Sequence, residues 1–151
     1  MQKLHYSISI NAPVQKVWDT MLQDATYRQW TAAFNPGSYY QGSWDKGAKM
    51  LFLGPDPMGG EEGGMVSRIA DNRPNEFISI EHLGLVKGGV EDTTSEEAKK
   101  WAPAYENYTF TEQEGVTTVN VEMDSLEEHA EMFNDMWPKG LQKLKEMAES
   151  N

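Results

Sequence analysis

The amino-acid sequence predicts an α+β fold in which a curved antiparallel sheet wraps around one long C-terminal helix. In residues 126–150, apolar side chains recur at steps of three and four, which is the spacing of one face of an α-helix. Most of residues 2–124 instead divides into short segments of strand length separated by turn residues. A helix with one apolar side is not stable alone in water, so it must bury that side against the strands.

The C-terminal helix has a continuous apolar stripe along one side. Its members are Leu126, Ala130, Phe133, Trp137, Leu141, Leu144 and Ala148, and Met132, Met136 and Met147 widen it. Pro138 lies inside this pattern and removes one backbone hydrogen bond, which predicts a kink or a loosened turn near Asn134. Such a bend either widens the mouth of a cavity or lets the helix follow the curved sheet.

The chain opens with a strand and two short helices. Residues 3–10 alternate apolar and polar side chains, which predicts a half-buried strand. Asn11 is the candidate N-cap of the first helix, and Pro13 fits its first turn, where no N–H is needed. A second short helix is predicted from residue 25 to about residue 34, with Asp24 as its candidate cap.

Six further segments of strand length follow, each bounded by turn residues. They are residues 38–44, 48–53, 64–70, 77–83, 104–111 and 117–124. Because segments that are adjacent in sequence usually pair in space, we expect a seven-stranded antiparallel meander that includes the N-terminal strand.

Two interruptions between the predicted strands are longer than a hairpin needs. Residues 54–63 are too rich in Gly and Pro for regular structure and predict a mobile loop. In residues 86–103, Thr94 or Ser95 can cap a turn or two of helix, and Trp101 can fold back onto the sheet. The aromatic side chain indicates a lid.

The charge of the chain excludes one class of partner. It carries 24 acidic and 13 basic side chains, a formal net charge of -11. This charge repels phosphate backbones, so we expect no nucleic-acid partner. The acidic residues are dispersed along the sequence, which is typical of a solubilising surface; a docking patch for a basic protein is the alternative.

Length and composition indicate a single domain, residues 1–151. The chain has no cysteine, which rules out disulfides and thiolate metal sites and fits a reducing compartment. Its first residues lack the apolar run of a signal peptide, and no segment has the length of a membrane span. We therefore expect a monomeric cytoplasmic protein.

Sequence motifs for common catalytic or cofactor sites are absent. His5, His82 and His129 do not have the spacing of a metal site. The paired glycines of residues 59–64 lack the lysine and hydroxyl residue of a phosphate loop, and no G-x-S-x-G elbow occurs. We predict no metal and no cofactor, and we assign no catalytic residue.

Two polar residues fall in an otherwise apolar series on the predicted inward face of the sheet. Strand alternation places these side chains inward: Ile78, Ile80 and His82; Glu106, Tyr108 and Phe110; Val119, Val121 and Met123. Because a buried imidazole or carboxylate needs a partner, His82 and Glu106 should bond each other, Arg68, Tyr108 or a ligand. Two interpretations follow. In the functional one, His82 and Glu106 orient a ligand or transfer a proton; in the structural one, they are a hydrogen-bonded polar pair without function.

Methionines are concentrated in the predicted interior. They are Met50, Met58, Met65, Met123, Met132 and Met136. Flexible thioethers suit a cavity that accepts varied apolar shapes, and they equally suit an ordinary core.

Both ends of the chain resemble a known superfamily. Ile10-Asn11-Ala12-Pro13, followed by Val17-Trp18 and Trp30, is similar to the opening of START-like (SRPBCC, helix-grip) domains. Trp137, Leu141 and Leu144 resemble the W-x-x-x-L-x-x-L pattern of the branch named for homologues of the heat-shock-protein-90 ATPase activator. The resemblance implies a sheet that grips the last helix, and a cavity that in relatives takes lipids, sterols, polyketides or plant hormones.

The leading hypothesis is a non-enzymatic binding protein for a small hydrophobic or amphipathic ligand. The expected cavity lining is Trp44, Met50, Phe52, Met65, Ile80, Trp101, Tyr108, Val121, Met132 and Met136, with His82 and Glu106 as polar anchors. A chaperone-associated protein-binding module is the alternative that the family name implies. A cyclase or dehydratase that uses His82 and Glu106 as acid and base is the third, and it requires the two side chains to share one cavity.

Overall fold

The computed structural model describes residues 1–56 and 59–150. In chain order its elements are β1 (Gln2–Ile10), α1 (Val14–Leu22), α2 (Asp24–Trp30), a 3₁₀ helix (Thr31–Ala33), β2 (Tyr39–Gly42), β3 (Lys49–Gly54), β4 (Gly63–Arg73), β5 (Phe77–Lys87), β6 (Val90–Asp92), α3 (Glu96–Lys99), β7 (Ala104–Gln113), β8 (Val116–Ser125) and α4 (Glu127–Glu149). Met58, one of the predicted cavity methionines, lies outside the described residues, as does part of the predicted loop 54–63.

The strands form one antiparallel sheet, which confirms the predicted fold class. Its order is β1-β8-β7-β5-β4-β3-β2, and the short β6 pairs with β5. The predicted meander is correct from β2 onward but wrong for β1, which pairs with β8 in the register Tyr6↔Val121. The two helices between β1 and β2 carry the chain to the opposite edge of the sheet, so these consecutive strands do not pair.

The insertion at residues 86–103 contains one predicted and one unpredicted element. Helix α3 begins where expected, because the Ser95 hydroxyl accepts a hydrogen bond from the Ala98 N–H at 3.2 Å. Strand β6 was not predicted. It follows a tight turn in which Gly88 and Gly89 both have positive φ, and it returns along the end of β5.

The caps predicted for the first two helices are wrong. Helix α1 has Pro13 at its N-cap position, and the carboxylate of Glu112 on β7 accepts from the Val14 N–H at 2.6 Å. A side chain from the sheet, Glu112, therefore accepts a hydrogen bond from the first turn of α1, which was the role expected of Asn11. Helix α2 has Gln23 at its N-cap position, and Asp24 lies in the first turn.

Helix α4 buries the predicted stripe against the sheet and α1. Its buried residues are Ala130, Trp137, Gly140, Leu141, Leu144 and Ala148, and Phe133 and Met147 are partly buried beside them. Met132 does not widen the stripe, since it is 44% exposed. The helix continues through Pro138, and the kink stays a prediction.

The inward face of the sheet has the predicted parity. Ile78, Ile80, His82, Tyr108, Phe110, Val119, Val121 and Met123 are all buried, and Glu106 is partly buried among them. Cross-strand pairing aligns them, as in the pairs Ile80↔Glu106 and Tyr108↔Val121. In the described part of the chain, no helix is long and apolar enough to cross a membrane.

Candidate functional site

A pocket of about 420 Å³ lies between the inward face of the sheet and the helices that cover it. Strands β3, β4, β5, β7 and β8 contribute one wall, and α2, the 3₁₀ helix and α4 contribute the other. Its larger apolar side chains are Trp30, Phe34, Phe52, Leu53, Met65, Leu85, Trp101, Met123, Leu126, Phe133 and Trp137. The sequence brings these residues together because strand alternation and helix periodicity aim both apolar faces at the same space.

Trp137 is the centre of the aromatic wall. Its ring lies 4.9 Å from Phe34 and 6.0 Å from both Trp30 and Tyr108, measured between centroids. Its indole N–H donates to the sulfur of Met123 on β8 at 3.0 Å. Helix α4 and the sheet are therefore tied together at the pocket, and this wall is held in one geometry before any ligand enters.

A chain of hydrogen bonds forms the polar part of the pocket. The Ser67 hydroxyl lies 2.7 Å from Nδ1 of His82, and Nε2 of His82 lies 3.0 Å from Oε1 of Glu106. The Tyr108 hydroxyl donates to Oε2 of Glu106. The contact between His82 and Glu106 meets the condition set above for an acid and base pair in one cavity.

A consistent proton arrangement follows from these partners. Glu106 accepts from Tyr108 and from Nε2–H of His82, which leaves Nδ1 of His82 to accept from the Ser67 hydroxyl. Every polar atom of the His82 ring then has a partner, so its orientation is fixed.

An irregularity in the pairing of β4 and β5 shapes this part of the pocket. Ser67 pairs with His82, but Val66 pairs with Gly84, so Leu83 is left without a partner in the ladder. This bulge shifts the alternation of β5, and Leu85 therefore lines the pocket together with His82.

Burial controls the protonation of two tyrosines that line the pocket. It raises the pKa of Tyr108 well above the ordinary value of 10.0, and the negative charge of Glu106 adds to the rise. The pKa of Tyr27 is raised by burial and, to a smaller extent, by the charges of Glu106 and Tyr40. Both phenols therefore keep their protons to a higher pH than an exposed tyrosine does, and Tyr108 donates its proton to Glu106.

The Ser67-His82-Glu106 chain differs from a hydrolytic triad. In a triad the serine bonds Nε2 of histidine and the acid bonds Nδ1, whereas here the two are exchanged. Ser67 is also fully buried, with 0% exposure, and the pocket is lined by His82 and Glu106 but not by Ser67. Ser67 orients the imidazole and has no access to a substrate.

The structure brings half of the expected lining residues to this pocket. Phe52, Met65, His82, Trp101, Glu106 and Tyr108 line it. The other six lie elsewhere: Met50, Ile80 and Val121 are buried in the core, Trp44 lines a separate cleft beside α1, and Met132 and Met136 are absent from the pocket lining on α4.

Several residues that line the pocket were not among those predicted from the sequence. Tyr27 and Trp30 belong to α2, and Phe34 directly follows the 3₁₀ helix; their spacing of three and four indicates that they share one face. Leu85 was missed because its inward direction depends on the bulge. Among the described residues, no group of three or more His, Asp or Glu side chains could hold a metal ion.

Comparison with solved structures shows the same fold in proteins of low sequence identity. A protein from Nitrosomonas europaea is 15% identical, with a TM-score of 0.74 over 96% of this chain and 92% of that one. A protein from Cytophaga hutchinsonii is 16% identical, with a TM-score of 0.72 over 99% and 94% of the two chains. DynU16, from the dynemicin biosynthetic locus, is 15% identical, with a TM-score of 0.70 over 99% of this chain and 48% of that one.

The comparison with curated proteins finds no match. A family model, described as Activator of Hsp90 ATPase homolog 1-like protein, matches residues 11–149. This match begins at Asn11, just before α1, and ends at the last residue of α4, so it includes the W-x-x-x-L-x-x-L segment and all of the opening segment except Ile10. The chain belongs to the Activator of Hsp90 ATPase homolog 1-like family of START-like proteins.

Proposed function

We propose that the protein binds one small, largely apolar molecule in the pocket between the sheet and α4. The observation that carries this proposal is a mostly aromatic and aliphatic lining that includes the hydrogen-bonded group of His82, Glu106 and Tyr108. Sites for small molecules have this composition: mostly apolar, with a few polar atoms that fix orientation. The volume of about 420 Å³ is in the usual range of such sites.

The fold and one structural neighbour support a small-molecule ligand of the lipid, sterol or polyketide-like class. Trp137 is held in place, because it is bonded to Met123 and packed among the rings of Tyr6, Trp30, Phe34 and Tyr108. A preformed site loses little conformational entropy on binding. DynU16, which shares the fold, comes from a biosynthetic locus, and this origin is consistent with a small organic ligand.

The uncharged fluorescent dye N-phenyl-1-naphthylamine tests the proposal. We expect saturable binding with enhanced dye fluorescence, quenching of the pocket tryptophans, and a rise in melting temperature with dye concentration. The matched variants are Leu85→Trp, which fills the pocket, and Leu51→Trp, which changes a partly buried strand leucine outside it. Leu85→Trp should weaken binding about tenfold or more and Leu51→Trp about twofold or less.

Two results would contradict the proposal. One is the absence of saturable dye binding to the wild-type protein. The other is an equal loss of affinity in Leu85→Trp and Leu51→Trp, since that would place the dye outside the pocket. Independently of the dye, native mass spectrometry of protein purified from its own host would identify any molecule that copurifies.

An enzymatic role is the second candidate, and the contact of His82 with Glu106 at 3.0 Å favours it. A cyclase or dehydratase needs an acid and a base beside an enclosed substrate, and these two side chains line the same pocket. The test is incubation with a synthetic poly-β-ketone and detection of aromatic products by absorbance. A rate that equals the buffer rate, or that His82→Asn leaves unchanged, excludes this candidate.

Association with a chaperone is the alternative that the family description suggests. The large apolar side chains that are exposed in the described residues include Val90, Tyr105, Val116 and Met132, which belong to four different elements. A pull-down with purified heat-shock protein 90 tests this alternative directly.

A further inference from the structure

The charges around the pocket disfavour an anionic ligand. Glu106 and Asp124 line it, and no lysine or arginine is found among the described residues that do so. His82, the buried imidazole, is already bonded to Glu106. His129 also lines the pocket and is exposed to solvent. A carboxylate drawn in beside Glu106 would therefore meet a partly buried like charge, while the basic groups of the lining other than His82, namely His129 and the Met1 amino group, are exposed to solvent.

The hydroxyl groups of the pocket indicate where a polar ligand atom would bind. Five side chains with a hydroxyl line it: Tyr27, Thr31, Ser38, Tyr108 and Ser125. Four of them donate within the protein: Thr31 to the Tyr27 carbonyl, Ser38 to the Asn35 carbonyl, Tyr108 to Glu106, and Ser125 to the Leu126 carbonyl. Within residues 1–56 and 59–150, the Tyr27 hydroxyl has no hydrogen-bond partner.

Tyr27 is held in place although its hydroxyl is unbonded. Its ring makes edge contacts with Trp30 at 5.7 Å and with Tyr40 at 5.0 Å, and it lies 6.3 Å from Phe52. Tyr27 lines the pocket, so a ligand oxygen that enters there can accept the proton of its unbonded hydroxyl.

We infer that the pocket selects an uncharged molecule with a carbonyl or hydroxyl oxygen. This oxygen accepts a hydrogen bond from Tyr27, and the negative charge of Glu106 prevents carboxylates from binding. The inference rests on the proposed function and narrows its ligand class: ketones, phenols and alcohols are accepted, and free fatty acids are excluded. Tyr27 and Glu106 are thus the residues that determine specificity.

Three naphthalenes of nearly equal shape test the inference: 2-acetylnaphthalene, 2-ethylnaphthalene and 2-naphthoate. In the wild-type protein we expect the ketone, 2-acetylnaphthalene, to bind at least about tenfold more tightly than the carboxylate, 2-naphthoate. Tyr27→Phe should weaken the ketone about three- to tenfold and leave the ethyl compound unchanged, because only the ketone accepts a hydrogen bond. Glu106→Gln should strengthen the carboxylate about tenfold and shift the ethyl compound little.

Tyr40→Phe is the matched control, because the Tyr40 hydroxyl donates to the Leu22 carbonyl at 2.7 Å and does not line the pocket. It should bind all three compounds like the wild type. If 2-naphthoate binds the wild type as tightly as the ketone, or Tyr27→Phe weakens the ketone and the ethyl compound equally, the inference is wrong while the proposed function stands. If neither the three naphthalenes nor N-phenyl-1-naphthylamine binds, both are wrong.

Discussion

Gly140 of α4 faces the ring of Phe34 so closely that a Cβ at residue 140 would lie 2.6 Å from Cε1 of Phe34. The same ring packs edge-on against Trp137 at 4.9 Å and lines the pocket. A glycine in the interior of a helix ordinarily costs about 1 kcal/mol relative to alanine. Here its lack of a side chain allows the aromatic wall to approach the helix.

Gly140→Ala should lower the free energy of unfolding by about 1 kcal/mol. The alanine gains about 1 kcal/mol of helix propensity, but it must displace Phe34, and overpacking of this kind costs about 1–3 kcal/mol. In a Phe34→Ala background the clash is absent, so the same change should stabilise the protein by up to about 1 kcal/mol. Urea denaturation of the four proteins measures both effects, and stabilisation by Gly140→Ala in the wild-type background would contradict the packing argument.

Ser67→Ala should release the ring of His82. The substitution leaves Nδ1 of His82 without its partner in a buried site, which costs about 1–3 kcal/mol of stability. It should also shift the resonance of Nδ1, which loses its hydrogen bond, while Glu106 keeps the proton on Nε2. Long-range ¹H–¹⁵N NMR of the imidazole nitrogens reports this change.

Ser79→Ala is the control for the serine experiment. Ser79 is another buried serine, and its hydroxyl donates to Oδ1 of Asn107 at 2.6 Å rather than to His82. It should lower stability without altering the imidazole spectrum. Unchanged imidazole nitrogens in Ser67→Ala would contradict the hydrogen bond between the Ser67 hydroxyl and Nδ1.

Strand alternation predicted which face of the sheet each side chain occupies, but not whether an inward side chain lies in the filled core or at the pocket. Met50, Ile80 and Val121 point inward as expected, yet they lie where side chains fill the interior, with exposures of 0%, 1% and 1%. Phe52 and Met65 share the parity and lie at the pocket. The period of two gives a face, whereas the separation between sheet and helix depends on curvature, which is a property of the whole fold.

The sequence could not reveal contacts that arise from irregular or distant pairing. Leu85 reaches the pocket through a bulge, and a bulge shifts the alternation by one residue without a distinctive residue type. Tyr27 had the spacing of an ordinary core residue, and its role depends on its hydroxyl lacking a partner in the folded chain. The placement of β1 beside β8 is decided by the helical crossover after it.

The stability of the protein should fall steeply above pH 10. Tyr27 and Tyr108 have folded-state pKa values raised above 10.0, mainly by burial. Below pH 10 both the folded and the unfolded chain keep these protons, so the contribution of the tyrosines to stability is fully present. Above pH 10 the unfolded chain loses the two protons and the folded chain does not, which favours unfolding by about 1.4 kcal/mol per tyrosine for each pH unit.

Urea denaturation between pH 9 and pH 12, together with absorbance at 295 nm, tests this alkaline slope. Tyr27→Phe removes one of the two groups and should reduce the slope by about 1.4 kcal/mol per pH unit. The native protein should also show two phenols that ionise only as it unfolds. An unchanged slope in Tyr27→Phe would mean that Tyr27 ionises freely in the folded state.

Pro138→Ala should raise the free energy of unfolding by about 1–3 kcal/mol. Pro138 is exposed and lies in the interior of α4, where a proline lacks the N–H that would bond the carbonyl of Asn134. Alanine restores that bond without entering the core. The side chain of Asn134 also accepts a hydrogen bond from the Tyr6 hydroxyl at 2.7 Å, so a change in the helix here also affects β1.

Lys143→Ala, an exposed change on the same helix, is the control and should alter stability by about 0.5 kcal/mol or less. If Pro138→Ala destabilises the protein in thermal and urea denaturation while Lys143→Ala does not, the fold requires the conformation that proline imposes on α4, and its removal should then also weaken binding of N-phenyl-1-naphthylamine.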